Sequence, residues 1–264
     1  MHSPKAFLNL IVNQLLKRTP VSILEIMEDK IQSNLGKGWG AWTTDEESRA
    51  ISSFVKKQKI QQVTALDVGA NLGDWSATLF REIPNAKIFA FEPSREAFLS
   101  IQSRFAKNTS IQCVNIALGK ENSTATLFAD ESGSGLGSLT KRRVEHFGIN
   151  FNHEEIIELH TLDAWIETNC KGLRPNVLKM DVEGHELDVL KGASNTLKNI
   201  EIIQFEFGGS NIDTRTYFQD FWYFLTELDF RLYRLGPRTP KLITMYSEID
   251  ETFRPTNYIA VRKK

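Results

Sequence analysis

Cysteine is scarce in this sequence: Cys113 and Cys170 are the only 2 among 264 residues. Thiols this few and this far apart make neither a disulfide framework nor a zinc-binding spacing, and a reducing cytoplasm is the expected compartment. Charge of either sign is not in excess. Lys and Arg number 32 against 33 Asp and Glu, which leaves a net charge of −1. No global field gathers nucleic acid or an anionic membrane, so no nucleic-acid partner is expected. Long apolar runs are missing as well. The stretch PKAFLNLIVNQLLKR is interrupted by Asn9, Asn13 and Gln14, has no small-residue cleavage site after it, and is too short to span a bilayer. Internal repeats and low-complexity tracts are absent. The rest is ordinary for a globular chain, with 41% hydrophobic and 25% charged residues. That length can bury one large core, with or without an N-terminal extension.

Residues 1–45 read as a helical extension ending near GKGWG at 36–40. Leu8, Ile11, Val12 and Leu15 share helical spacing. The face they form is expected to pack on its own domain or on a partner subunit, as in a homodimer; weak peripheral contact with a membrane surface is the alternative. After position 45 short apolar runs alternate with helical patterns. VTALDV (63–68), KIFAFE (87–92), SIQCVNIAL (110–118), VLKMDV (177–182) and IEIIQFEF (200–207) read as strands. A helix carrying Leu187, Leu190, Ala193 and Leu197 separates the last two. Such alternation predicts an α/β fold with a mostly parallel sheet covered on both faces. STATLFA (123–129) and EEIIELHTL (154–162) read as extra strands flanking a Gly/Ser-rich stretch at 131–153. That stretch is expected to act as a lid-like loop over the acceptor, where Lys141, Arg142, Arg143, His146 and His153 either meet a polar or anionic group or are simply solvated. DFRLYRLG (229–236) and TNYIAVRK (256–263) suggest a C-terminal antiparallel hairpin. In YFQDFWYFL, the spacing of Phe218, Phe221, Phe224 and Leu225 predicts core or interface rather than sugar stacking.

The first strand runs into LDVGANLGDWS, where Gly69 and Gly73 flank a turn that opens a helix. Glycines there allow close backbone approach, and the helix start offers free N–H groups. The dinucleotide fingerprint would need glycine where Asn71 and Asp74 stand. Asp67 would repel a pyrophosphate and favour a cationic ligand. Glu92, at the tip of the second strand in FEPS, is placed to accept hydrogen bonds from both ribose hydroxyls. Together Asp67, Gly69, Gly73 and Glu92 describe an adenosine site with a positively charged, phosphate-free tail, which fits S-adenosyl-L-methionine.

The order DVGANLG, FEP, NIALG, LKMDVEGHELDVLKGA and a strand ending in FE resembles the FkbM family of methyltransferases over about residues 62–210. The resemblance implies the class I, Rossmann-like methyltransferase fold in a domain spanning 46–264. It also implies O-methylation of sugars, glycans or related polyhydroxylated metabolites. It assigns Asp67, Gly69, Asn71 and Gly73 to the methionine part, Glu92 to the ribose, and Asn115, Ile116 and Ala117 to the adenine border.

KMDVEGHELDVLKGA gathers carboxylates where a buried strand ends. In parallel sheets ligands lie beyond such ends, so Asp181 and Glu206 should face the crevice and the sulfonium. Asp188 reads as a solvated helix residue and Glu186 as a cap. Two routes to methyl transfer stay open. In one, His185 or a carboxylate near it, such as Glu183, accepts the proton of the acceptor hydroxyl. In the other, Asp181, Glu206 and Glu183 bind Mg²⁺, which lowers the pKa of that hydroxyl. An NAD-dependent Rossmann-type oxidoreductase and a non-catalytic protein of the same fold are the competing functions. The missing fingerprint opposes the first, and the full carboxylate set opposes the second.

Overall fold

Alternation along the central strands sorts side chains onto two cores, and this sorting sets the architecture. The computed structural model describes residues 12–38 and 44–264. Its strands are β1 (Thr64–Val68), β2 (Lys87–Phe91), β3 (Ile111–Val114), β4 (Ala117–Leu118), β5 (Ser123–Ala129), β6 (His153–His160), β7 (Val177–Met180), β8 (Ile202–Phe207), β9 (Phe230–Arg234), β10 (Lys241–Leu242) and β11 (Thr256–Arg262). Eight of them form one sheet in the order β10-β9-β11-β8-β7-β1-β2-β3. β3, β2, β1, β7 and β8 are parallel neighbours, while β11 pairs antiparallel with both β8 and β9. The expected hairpin-like closure is therefore present. The order places β1 at the switch point of a class I methyltransferase sheet.

Leu66, Val68, Phe89, Phe91, Leu178, Met180, Ile203, Phe205 and Phe207 feed one core. Ala65, Ile88, Ala90, Val177 and Ile202, their neighbours in sequence, feed the other. The first is covered by α5 (Leu162–Asn169), α6 (Glu186–Lys191) and α8 (Phe218–Glu227). The second is covered by α2 (Thr44–Lys57), α3 (Asp74–Glu82) and α4 (Arg95–Arg104). Burial on both faces explains the near-continuous apolar runs. Leu187, Leu190, Ala193 and Leu197 are all buried, although α6 itself ends at Lys191. Phe218, Phe221 and Leu225 are fully buried in the same core.

Several strand boundaries differ from the sequence reading. SIQCVNIAL is two strands, because Asn115 leaves the ladder and donates from Nδ2 to the carbonyls of Glu92 and Pro93, at 2.9 Å each. β4 pairs instead with β6, in a three-stranded sheet that also holds β5. The fourth parallel strand stops at Met180, which leaves Asp181 in the turn beyond it. The fifth starts at Ile202.

Of the N-terminal extension, α1 (Val21–Asn34) buries none of its 14 residues. Asp29 pairs with Arg254 at 2.8 Å, and the Leu35 carbonyl accepts from Arg234 Nε at 3.0 Å. Leu8 and Ile11 lie outside the described residues, and Val12 and Leu15 are exposed rather than packed on the domain. Among the described residues no helix is long and apolar enough to cross a membrane. Phe221 stacks on Phe205 with ring centroids 4.9 Å apart. Phe221→Ala should therefore cost about 3–5 kcal/mol, the usual scale for emptying a buried aromatic site. Urea denaturation measures it, and a loss below about 1 kcal/mol would contradict this core assignment.

Candidate active site

β1 ends in a turn that only glycine permits at its first position. Gly69 has φ +74°, and a Cβ there would lie 1.9 Å from the carbonyl oxygen of Asp181. The turn thus brings the β1 and β7 ends into direct backbone contact. Asn71 continues it with φ +45° and donates its N–H to Glu92 Oε2 at 2.7 Å. Glu92 Oε1 accepts from Ser94 N at 2.9 Å. Each oxygen keeps a second lone pair, and Glu92 lines the cleft although it is only 6% exposed. Burial pushes its carboxyl up to about 7, against the two backbone N–H groups that pull it down.

The cleft runs from Gly69, Asn71 and Glu92 past Ile116 and Ala117 to Asp181, Glu183 and His185. Leu118, Leu127, Leu139 and Val182 supply apolar walls. Ser134, Gly135 and Gly137, from the loop between β5 and β6, close one side. That loop is fastened to the turn after β7. Ser138 Oγ donates to the Glu183 carbonyl at 2.8 Å, Thr140 Oγ1 lies 3.0 Å from His185 Nε2, and Arg142 Nη1 donates to Glu183 Oε2 at 2.5 Å. Arg142 also pairs with Asp213 at 3.6 Å. Its guanidinium is thus engaged within the chain, whereas the sequence offered it to an acceptor.

The other anticipated residues sit elsewhere. Asp67 is fully buried below the cleft, accepts from Ser76 Oγ at 2.7 Å and pairs with Lys179 Nζ at 3.1 Å. Gly73, with φ +78°, precedes α3 and packs where a Cβ would meet the Phe105 ring at 2.5 Å. Asn115 braces the FEP turn behind Glu92. Glu206 lies in β8 opposite Asn257, outside the lining of the cleft. Burial raises its carboxyl well above the usual range, helped by the charges of Asp181 and Glu183. Glu183, with φ +52°, is raised to about 8 by burial and Asp181, against the pull of Arg142. Glu186 does cap the turn, since its Oε1 accepts from Val182 N and Gly184 N at 2.9 and 3.3 Å.

Lys179 was not foreseen. It faces Asp67 and Gln204 across the sheet, donates to the Gly69 carbonyl at 2.8 Å and stands 3.8 Å from Asp181. Burial alone would lower its pKa, but Asp67 and Asp181 reverse the sign and hold it charged. A lysine inside VLKMDV, in step with the Asp of LDV, was the available signal. Gln204 extends the row: its Nε2 donates to Glu47 at 2.8 Å and its Oε1 accepts from Trp75 Nε1 at 2.9 Å.

The metal expectation needs correction. Among the described residues no three His, Cys, Asp or Glu side chains are grouped to hold a metal ion. Glu183 is turned to Arg142 and Glu206 does not line the cleft, so Asp181, Glu206 and Glu183 are not a Mg²⁺ ligand set. The fit to an adenosine-bearing sulfonium is better. The glycine cradle at Gly69, the two free lone pairs of Glu92 and the half-exposed Asp181 carboxylate converge on one apolar-walled cleft.

This sheet and cleft define a class I methyltransferase. Comparison with known proteins gives the family: the model of the methyltransferase FkbM domain matches residues 67–232, and the chain belongs to that family. It is 30% identical to the hexuronic acid methyltransferase AglP of Haloferax volcanii over 139 residues, which are 52% of this chain and 52% of that protein. It is 24% identical to the 2-O-methyltransferase NoeI of Sinorhizobium fredii over 175 residues, 62% of this chain and 70% of that one. Against the first of these the chain spans about half the relative's length. Among solved structures, the plantazolicin methyltransferase BpumL in complex with S-adenosylhomocysteine aligns at a TM-score of 0.45 and 10% identity, covering 92% of this chain and 100% of that one.

Lys179→Met should destabilise the fold by about 3–5 kcal/mol, because it strands the Asp67 charge in the interior. Adding Asp67→Asn should recover part of that loss. Chemical denaturation of the two variants checks both steps, and equal stability of Lys179→Met and wild type would refute the buried pair as described.

Proposed function

We propose that this methyltransferase uses S-adenosyl-L-methionine to methylate a hydroxyl of a sugar, glycan or related polyhydroxylated acceptor. The observation that carries the reading is the sharing of one cleft by Glu92 and Gly69 at one end and Asp181 and His185 at the other. When bound, the cofactor supplies an electrophilic methyl group on a sulfonium.

Within this reading Gly69 and Asn71 border the methionine part, with Asp67 and Gly73 shaping the turn from below and behind. Glu92 takes the ribose hydroxyls on its remaining lone pairs. Ile116 and Ala117 flank the adenine, with Asn115 fixing the turn they follow. Asp181 supplies negative charge near the sulfonium and the acceptor. A sugar hydroxyl is a weak nucleophile, so it must lose its proton as it attacks, and His185 is the proton acceptor. Alignment of donor and acceptor in a closed cleft contributes much of the acceleration. Two relatives, a hexuronic acid methyltransferase and a 2-O-methyltransferase, support the acceptor class.

Glu92→Ala should weaken S-adenosylhomocysteine binding by about 1.5–3 kcal/mol, the scale of hydrogen bonds to a charged group. Isothermal calorimetry reads it directly, and unchanged affinity would remove Glu92 from the site. Asp181→Asn should act differently. Over a panel of uronic acids and neutral glycosides, turnover should fall by at least about tenfold while cofactor affinity changes by less than about threefold. Wild-type turnover in that variant would exclude a role for Asp181 in the acceptor half.

A further inference from the structure

His185 sits between two side chains that the reading above leaves unused. Its Nδ1 is 3.1 Å from Asp188 Oδ2, one turn further along α6. Its Nε2 is 3.0 Å from Thr140 Oγ1, on the loop that closes the cleft. The imidazole is largely buried, with 16% of the side chain exposed, and lines the cleft beside Asp181 and Gly135.

The chemistry of these three groups fixes the direction of each hydrogen bond. An ionised carboxylate only accepts, so Nδ1 must carry a proton. In the neutral ring Nε2 is then the lone pair, and the Thr140 hydroxyl must donate to it. The ring therefore presents a single proton-accepting nitrogen, and a hydroxyl already stands at the distance a general base requires of its substrate. A helix-capping role does not account for this arrangement. His185 occupies the N-cap position of α6 without a side-chain hydrogen bond to the helix backbone, and the turn is capped by Glu186 instead. Two further charged groups act on Asp188: Lys120, and Lys191, whose Nζ lies 4.0 Å from its second oxygen.

We propose that Asp188 is a positioning residue that holds His185 in the Nδ1–H tautomer, and that the Thr140 hydroxyl stands where the acceptor hydroxyl must come. Acceptor binding then exchanges one O–H donor for another at Nε2. The inference rests on the reading of His185 as the proton acceptor. In the transfer step the acceptor oxygen forms a bond to the methyl carbon. The carbon–sulfur bond breaks with its electron pair going to sulfur, and the acceptor proton passes to Nε2. The resulting imidazolium is stabilised by the Asp188 carboxylate at Nδ1, as an Asp partner does in other histidine bases.

Two measurements test this without knowledge of the acceptor. The first is long-range ¹H–¹⁵N spectroscopy of the full chain, labelled at histidine, saturated with S-adenosylhomocysteine and held at about pH 8, where an ordinary histidine is neutral. Wild-type His185 should show a protonated Nδ1 and an unprotonated Nε2. Asp188→Asn should move the population toward Nε2–H, because a carboxamide can donate to Nδ1. A wild-type ring protonated at Nε2 would overturn the proposal by itself, whether or not the variant folds. The second is carbethoxylation by diethyl pyrocarbonate, followed residue by residue in peptide digests. Thr140→Val should speed modification of His185 by at least about threefold relative to His146 and His153 in the same sample, since its Nε2 loses the donor that occupies it. Thr140→Ser should keep the slow rate. Equal rates in Thr140→Val and wild type would overturn the role given to Thr140. Failure of wild-type protein to bind S-adenosylhomocysteine would sink the cofactor reading instead, and wild-type binding with the wrong tautomer would sink this inference alone.

Discussion

The buried cation Lys179 holds the end of the central sheet together. It compensates Asp67 at 3.1 Å and Asp181 at 3.8 Å and donates to the Gly69 carbonyl at 2.8 Å. These contacts join the turn after β1 to the turn after β7. Without Lys179 two carboxylates would share a low-dielectric sheet edge, an arrangement that favours protonation or distortion over a fixed geometry. Desolvating a lysine is expensive, and here two carboxylates and a carbonyl offset the cost. The ion pair is thus better understood as a device for registering two turns than as a source of net stability.

The same logic explains how the site holds so many carboxylates, most of them with partners within the chain. Glu47 accepts from Gln204 and Asn257, at 2.8 and 2.7 Å, and burial pushes it up to about 7. Glu183 is tied to Arg142, and Glu186 to the backbone of its own turn. Of the group, Asp181 keeps a half-exposed side chain in the cleft. The acidic sequence KMDVEGHELDV therefore divides by geometry into turn-building groups, Glu183 and Glu186, a partner of His185, Asp188, and one carboxylate facing the cleft, Asp181.

Much of this was legible in the chain itself. Gly69 announced a backbone approach because no other residue tolerates both its φ and the carbonyl facing it. Glu92 announced itself as an acidic tip on a short apolar strand. The two-core arrangement followed from apolar runs too continuous for a one-sided sheet. What escaped was partner choice. Local spacing does not say that Arg142 reaches across from the β5–β6 loop to Glu183, nor that Asn115 prefers the Glu92 and Pro93 carbonyls to a strand ladder. Asp188 looked solvated because its i,i+3 relation to His185 gains meaning only when Thr140 arrives on the other ring nitrogen. Each miss is a long-range contact that fixes a side chain which short-range rules leave free.

Those long-range contacts share one feature. Ser138, Thr140 and Arg142 alternate along the loop, and each reaches the short turn Glu183–His185. The loop therefore cannot lift without releasing Glu183 and His185 together. Such a movement would break the Ser138, Thr140 and Arg142 hydrogen bonds and open the wall that Ser134, Gly135 and Gly137 form. The turns that carry Gly69 and Glu92 are braced from beneath by Lys179 and Asn115, and they meet the same loop where Asn71 Nδ2 donates to the Gly133 carbonyl at 3.4 Å.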